Sequence, residues 1–313
     1  MSDITLSPST SSPSASDSAA NDGKRRKASP RRGSLRHLWS KAGFMPRLYI
    51  AAFTVVIVLA IAGPWFVAFD PNAQTLLARL RPPVGFDRAM AVHPLGTDEL
   101  GRDVLSRTLS GLRLTLLIAG LGSMISLVLG VVVGVVSGYF RGRIGAFLVT
   151  IIDIQMAVPF TLIALLSIAM LGNSLPVLIS VIGISGWEIY ARMVRAQVLS
   201  VSKLPFVEAS RAAGASHLRI LLRHVLPNVV SPIIVVWTMT FSSLILLESS
   251  LSFLGLGVQP PTATLGSMVG AGRAYLATAP WVAITPSLAI MLVSLLVLLV
   301  GDWLRDALDV KLK

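Results

Sequence analysis

Beyond its first fifty residues the chain alternates long apolar runs with short polar punctuation. The runs cover roughly 48–69, 112–138, 146–171, 174–191, 228–248 and 281–303. A hydrocarbon core of about 30 Å is crossed by about 20 apolar residues in a helix. The pattern therefore predicts an all-α, polytopic membrane protein with six transmembrane helices. The fourth run is the weakest, because Trp187, Glu188 and Tyr190 end it early. Pro159 lacks a backbone donor and is expected to kink the third. Residues 98–113 place Leu100, Val104, Leu105, Leu109 and Leu112 at helical spacing. They predict an amphipathic helix at the outer interface leading into the second span, with Asp103 and Arg107 paired at i,i+4.

The gaps between runs, at most 70–111, 192–227 and 249–280, hold no soluble domain. Three regions follow: a basic cytoplasmic tail at 1–45, the first span with an external segment at 46–111, and a five-helix core at 112–313 containing a loop at 204–227. The first 35 residues, Ser/Pro/Thr-rich and then basic, offer little apolar surface to offset ordering entropy and are expected to be disordered.

Composition agrees with the pattern. Of 313 residues, 54% are hydrophobic and 13% charged, and mean hydropathy is +0.75. Soluble domains carry about 25% charge, so a soluble enzyme is excluded. The net charge of +12 raises nucleic acid as a partner, but the basic residues flank apolar runs as membrane topology requires. With the N-terminus inside, 20 of the 27 Lys and Arg residues fall on the cytoplasmic side. Both termini are then expected to be cytoplasmic, and the protein a multi-pass membrane protein. Ala60-Ile61-Ala62 and Arg31-Arg32 suggest a cleaved or twin-arginine signal. A 47-residue polar leader and five later runs argue against both. Cysteine is absent from the sequence, which excludes disulfides and thiolate metal sites.

Candidate chemistry is sparse. Gly183-Ile184-Ser185-Gly186 resembles an intramembrane serine site, yet the four histidines, His37, His93, His217 and His224, lie outside the runs. A serine nucleophile needs a base within reach, so this stretch reads as a small-residue helix contact and no catalytic residue is assigned. His217 and His224, seven apart, are about 10.5 Å apart along a helix and cannot share a metal. Among the carboxylates, Glu188, Glu248 and Asp302 fall near interfaces, where charge costs little. Asp153 lies about two turns inside the third run; it either pairs with Arg141 or Arg143 or lines a pathway. Gly130, Gly134 and Gly138 bare one face of the second span for close helix contact. No GxxxxGK[ST] occurs, so this chain does not itself hold ATP in a P-loop.

The 192–227 loop carries the most local information. Pro205 suits a first helical position, 206–213 forms a short helix, and Gly214 supplies a left-handed stop. Ser216 can cap a second helix over 217–226 before Pro227. Ala209, Ala212 and Ala213 make the surface shallow. Such a hairpin suits a groove on a partner; the bland alternative is a hairpin resting on lipid headgroups.

The run Glu208-Ala209-Ser210-Arg211-Ala212-Ala213-Gly214-Ala215-Ser216, continuing through Ile220 to Arg223-His224-Val225-Leu226-Pro227-Asn228, resembles the EAA loop of permease subunits in binding-protein-dependent ABC importers. His93-Pro94-Leu95-Gly96-Thr97-Asp98 with Gly101-Arg102-Asp103-Val104-Leu105-Ser106-Arg107 resembles the C-type subunit of the dipeptide, oligopeptide and nickel permeases. So does Glu248-Ser249-Ser250-Leu251-Ser252-Phe253-Leu254-Gly255-Leu256-Gly257 with Pro260-Pro261. The similarity covers about 45–310. Ser210 departs from the third alanine of the EAA run, and Leu265 stands where a tryptophan is usual, which puts an external aromatic contact in doubt.

The resemblance implies a type I, MetI-like permease with no cofactor of its own, ATP and Mg being bound by partner subunits. The implied partners are a homologous B-type permease, two ABC ATPases, an external solute-binding protein and membrane lipid. Glu208, Ala209, Ala212, Ala213, Gly214 and Ile220 would dock the ATPase, and Asp153 is the pathway candidate. A secondary transporter or channel working alone is the rival reading; it would need a mid-membrane charge network.

Overall fold

The structure is a computed structural model describing residues 43–66, 69–140 and 142–309. The expected disordered tail, and Arg141 as a partner for Asp153, lie outside the described residues. Helix α1 is Phe44–Phe66 and α2 is Val104–Tyr139. A bent pair follows, α3 (Arg143–Ala157) and α4 (Phe160–Leu171). Next come α5 (Leu175–Ile184), α6 (Trp187–Val201), α7 (Pro205–Ala212), α8 (His217–Ile220) and α9 (Leu226–Phe253). The described chain closes with α10 (Leu265–Gly272) and α11 (Trp281–Asp309). Five helical segments are long and apolar enough to cross a membrane, and six when the bent pair counts as one. Among the described residues no strand forms; Thr97 and Asp103 share an isolated bridge.

The glycine face of α2 organises the bundle. Gly122 lies against Ile182, Gly130 against Trp187 and Tyr190, Gly134 against Ala191 and Val194, and Gly138 against Val198. Position rises together along both partners, so α2 runs parallel to the α5–α6 segment. Leu175 is therefore about seven residues above the level of Gly122, and the chain after Tyr139 climbs about 36 Å to reach it at 1.5 Å per residue. The bent α3–α4 pair thus returns the chain across the bundle instead of dipping in and out on one side. Its 87° bend is larger than the expected kink: Pro159 caps a new helix. Packing of α9 on α2 is antiparallel, since Trp237 Nε1 donates to Ser123 Oγ at 3.2 Å while Leu265, beyond α9, donates its N–H to Thr115 Oγ1 at 3.2 Å. With six crossings, Gly43 and Asp309 share the end that carries α7 and α8.

Several helix boundaries differ from the sequence expectation. Trp187 and Tyr190 do not end the fourth span. Gly186, at φ +79°, breaks the helix, and α6 then runs to Val201 with Tyr190 fully buried. Ser126 Oγ donates to the Gly183 carbonyl at 2.8 Å and also to that of Ser185, satisfying acceptors that the break exposes. Pro227 does not stop the second loop helix. A π-helical turn, Leu221–Val225, joins α8 to α9 without interruption and lies just ahead of the proline, whose missing N–H removes one bond from the ladder. No separate interfacial helix precedes the second span: α2 starts at Val104 and runs 36 residues, about 54 Å.

The main apolar core joins Val56 and Ala60 of α1, Leu112, Ile118 and Ala119 of α2, Leu178 and Ile182 of α5, Leu244 and Ile245 of α9, and Val293 and Leu296 of α11. Leu265 is fully buried in the same cluster, so an aliphatic side chain fills the position where an aromatic contact was in doubt.

Candidate functional site

The hairpin of α7 and α8 is built by local rules. Leu204 is extended and Pro205 opens α7. At its far end Gly214 takes φ +76°; its N–H donates to the Arg211 carbonyl and that of Ala215 to the Ser210 carbonyl. This is the paired pattern of a Schellman stop, which an L side chain resists at that φ. Ser216 then accepts from the Arg219 N–H at 3.4 Å, capping α8.

One face of the hairpin is sealed. Val207, Ile220 and Val225 are wholly buried against Val194, Val198 and Val201 of α6 and Val229 and Ile233 of α9. Ser210 Oγ donates to the Phe206 carbonyl at 2.8 Å and lies 3.4 Å from His224 Nε2, so the serine in the alanine run ties α7 to the π turn. The other face is open: Glu208, Ala209, Ala212, Ala213 and Gly214 are exposed, and nothing lies within 4 Å of a Cβ built on Gly214. Ile220 departs from the expected set, because it lies inside the hairpin's core instead of on its outer face. Phe206, Leu218 and Leu222 are exposed beside the alanines. Leu218 and Leu222 stand one turn apart, a spacing legible in the sequence once the second helix is placed.

Among the described residues Asp153 does not pair with Arg143. Its Oδ1 accepts from Arg192 Nη2 at 2.8 Å, joining α3 to α6. Both side chains remain more than half exposed, at 58% and 56%. Arg192 follows Ala191, which lies against Gly134, so the pair sits about five residues, ~8 Å, from the hairpin end of α2.

The opposite end carries a cap, residues 69–103. Asp98 accepts from the N–H groups of Leu100 and Arg102, and from Arg102 Nε at 2.6 Å. Asp103 does not pair with Arg107. It caps α2 through the Ser106 N–H at 2.7 Å and lies 3.0 Å from His93 Nδ1. Arg107 turns instead to Asp98 at 3.4 Å and to the Pro71 carbonyl at 3.2 Å. Gly96 and Gly101 adopt φ +78° and +73°, and a Cβ on Gly101 would strike the Thr75 carbonyl. The motif glycines are therefore demanded by close backbone passage. Trp281 Nε1 donates to the Thr97 carbonyl at 3.1 Å, fastening the cap to α11. Near the same end Glu248 is fully buried within the protein and accepts from Ser252 Oγ at 2.7 Å. Among the described residues no cluster of three metal-ligating side chains occurs.

Residues 130–313 match a family described as binding-protein-dependent transport system inner membrane component. The chain is 42% identical over 259 residues to the di/tripeptide transport system permease protein DppC of Pseudomonas aeruginosa (strain UCBPP-PA14), covering 83% of this chain and 86% of that one. It is 40% identical to the glutathione transport system permease protein GsiD of Pectobacterium atrosepticum, covering 84% and 86%. In fold it is similar to a chain of the MetNI methionine ABC transporter in an inward-facing crystal structure. That likeness has a TM-score of 0.52 at 21% identity, over 63% of this chain and 94% of that one.

Proposed function

The chain belongs to the binding-protein-dependent transport system inner membrane components, as an ABC importer permease of the peptide family, and from that premise we propose its place in a working complex. It is a transport subunit and not an enzyme; ATP hydrolysis belongs to a separate subunit. In our reading it pairs with a homologous B-type permease to enclose the pathway. Two ATPases holding ATP and Mg dock from the cytoplasm, where both termini also lie, and the 204–227 hairpin sits in a groove of one of them. An external solute-binding protein delivers solute at the cap end. ATP binding closes the ATPases, the hairpin moves with them, and the cavity between the permeases alternates its access.

The observation that carries this reading is the division of the hairpin's two faces. A hairpin resting on lipid would turn its apolar side toward the acyl chains. Here that side is spent on α6 and α9. The outward side presents Glu208 and a shallow alanine surface flanked by Phe206, Leu218 and Leu222, which is suited to a protein groove. For the solute, relatives named for di/tripeptides and glutathione favour short peptides over nickel. Binding assays on the partner solute-binding protein separate the two.

Purification in mild detergent tests the assembly. The ATPase subunits and the second permease should copurify with this chain. A chain that transports solute with no ATPase attached would restore the stand-alone transporter.

A further inference from the structure

The last residue of α2 and the first residue of α8 are joined through their side chains. Tyr139 Oη and His217 Nδ1 lie 2.8 Å apart, across 78 positions of sequence. Their rings also meet edge-on, with centroids 5.6 Å apart and planes at 77°, and Phe140 flanks the same imidazole at 6.4 Å. Among the described residues this is the one side-chain hydrogen bond between the hairpin and α2. Leu127, Val131 and Val135 of α2 pack on the apolar cluster in which Val207, Ile220 and Val225 meet α6 and α9.

Apolar contact resists compression but has no direction, so surfaces joined only in that way can slide. A hydrogen bond with an edge-on ring pair fixes register. The element on the far side of the joint is also distinctive. Helix α2 is an unbroken 36-residue helix without proline. The bent pair turns by 87° between α3 and α4, α5 and α6 part at Gly186, α9 follows a π turn and contains Pro232, and α11 contains Pro286. Helix α1 is shorter, at 23 residues, and contains Pro46 and Pro64. Among the described residues α2 is the one proline-free helix that runs from the hairpin end to the cap, where Asp103 caps it and Arg107 holds Asp98 and the Pro71 carbonyl.

We propose that the Tyr139–His217 contact is a strut that passes hairpin movement to α2, which carries it as one rod to the cap at residues 69–103. Both are positioning residues, and the inference rests on the hairpin being the ATPase-docking element. Its function is to make ATP hydrolysis and opening of the outer end one event.

The test uses the whole complex in vesicles supplied with solute-binding protein and ATP, reading ATP hydrolysed per solute imported. Tyr139→Phe removes the hydroxyl and keeps the ring. It should raise that ratio severalfold while the ATPases copurify at wild-type level. His217→Ala should raise it as well, and the double variant should be no worse than the more affected single one, since both changes break one contact. A wild-type ratio in Tyr139→Phe, or losses that add in the double variant, overturns the strut alone. A wild-type complex that retains no ATPase overturns the docking reading, and the strut with it.

Discussion

Asp153 Oδ1 accepts a hydrogen bond from Arg192 Nη2 at 2.8 Å, tying the first half of a sharply bent crossing to the lower part of the next one. Both groups are more than half exposed. A charged pair so open is poorly placed against hydrocarbon and well placed against water or a polar partner surface.

If this pair faces the pathway between two permeases, its charges act on transport more than on folding. Asp153→Asn should change stability by less than about 1 kcal/mol, as for other exposed pairs, and lower uptake severalfold. Asp153→Arg should be worse, and Asp153→Arg with Arg192→Asp should recover part of the loss. Uptake into vesicles, normalised to membrane level, checks all three. Full activity of Asp153→Arg would remove the residue from the pathway.

Close packing of α2 on α6 makes a sharper stability prediction. A Cβ on Gly134 would lie 2.7 Å from the Ala191 carbonyl oxygen and 2.8 Å from Val194 Cβ, while one on Gly120 meets nothing within 4 Å. Gly134→Val should therefore cost about 1–3 kcal/mol through overpacking and lower the melting temperature in detergent. Gly120→Ala should leave it unchanged or slightly raised. Equal melting temperatures for the two variants would show that this packing is looser than described.

Orientation is open to direct measurement. Reporter fusions after residues 85, 143, 215, 265 and 313 should read outside, inside, inside, outside, inside. An outside reading at 215 would place the hairpin away from any cytoplasmic ATPase.

Gly214 separates docking from folding. At φ +76°, an added side chain carries about 1–2 kcal/mol of backbone strain, but there is open space around it. Gly214→Asp should leave membrane levels near normal while ATPase association and uptake fall together. Glu208→Lys, on the same exposed face, should act in the same direction by reversing a charge. Quantitative ATPase pull-down beside a membrane blot decides the matter: normal association in both variants would return the hairpin to the lipid-surface reading.

The sequence alone fixed what local chemistry and the bilayer demand. Without water to satisfy backbone groups, an apolar run must become a helix, so six runs predict six crossings. Gly130, Gly134 and Gly138 mark a packing face because four-residue spacing aligns them on any helix. Pro205, Gly214 and Ser216 delimit the hairpin through φ and capping preferences that act within a few residues. Partnership was decided only by the tertiary structure. Nothing local tells Asp153 to choose Arg192, 39 positions away, or Tyr139 to meet His217. Helical period does not say which side of α8 buries Ile220 and leaves Leu218 exposed; that depends on where α6 and α9 stand. Pro227 and the Trp187–Tyr190 stretch read as stops because their local signals are real. Tertiary contacts overrode them: a π turn carried the helix through the first, and the bare face of α2 buried the second.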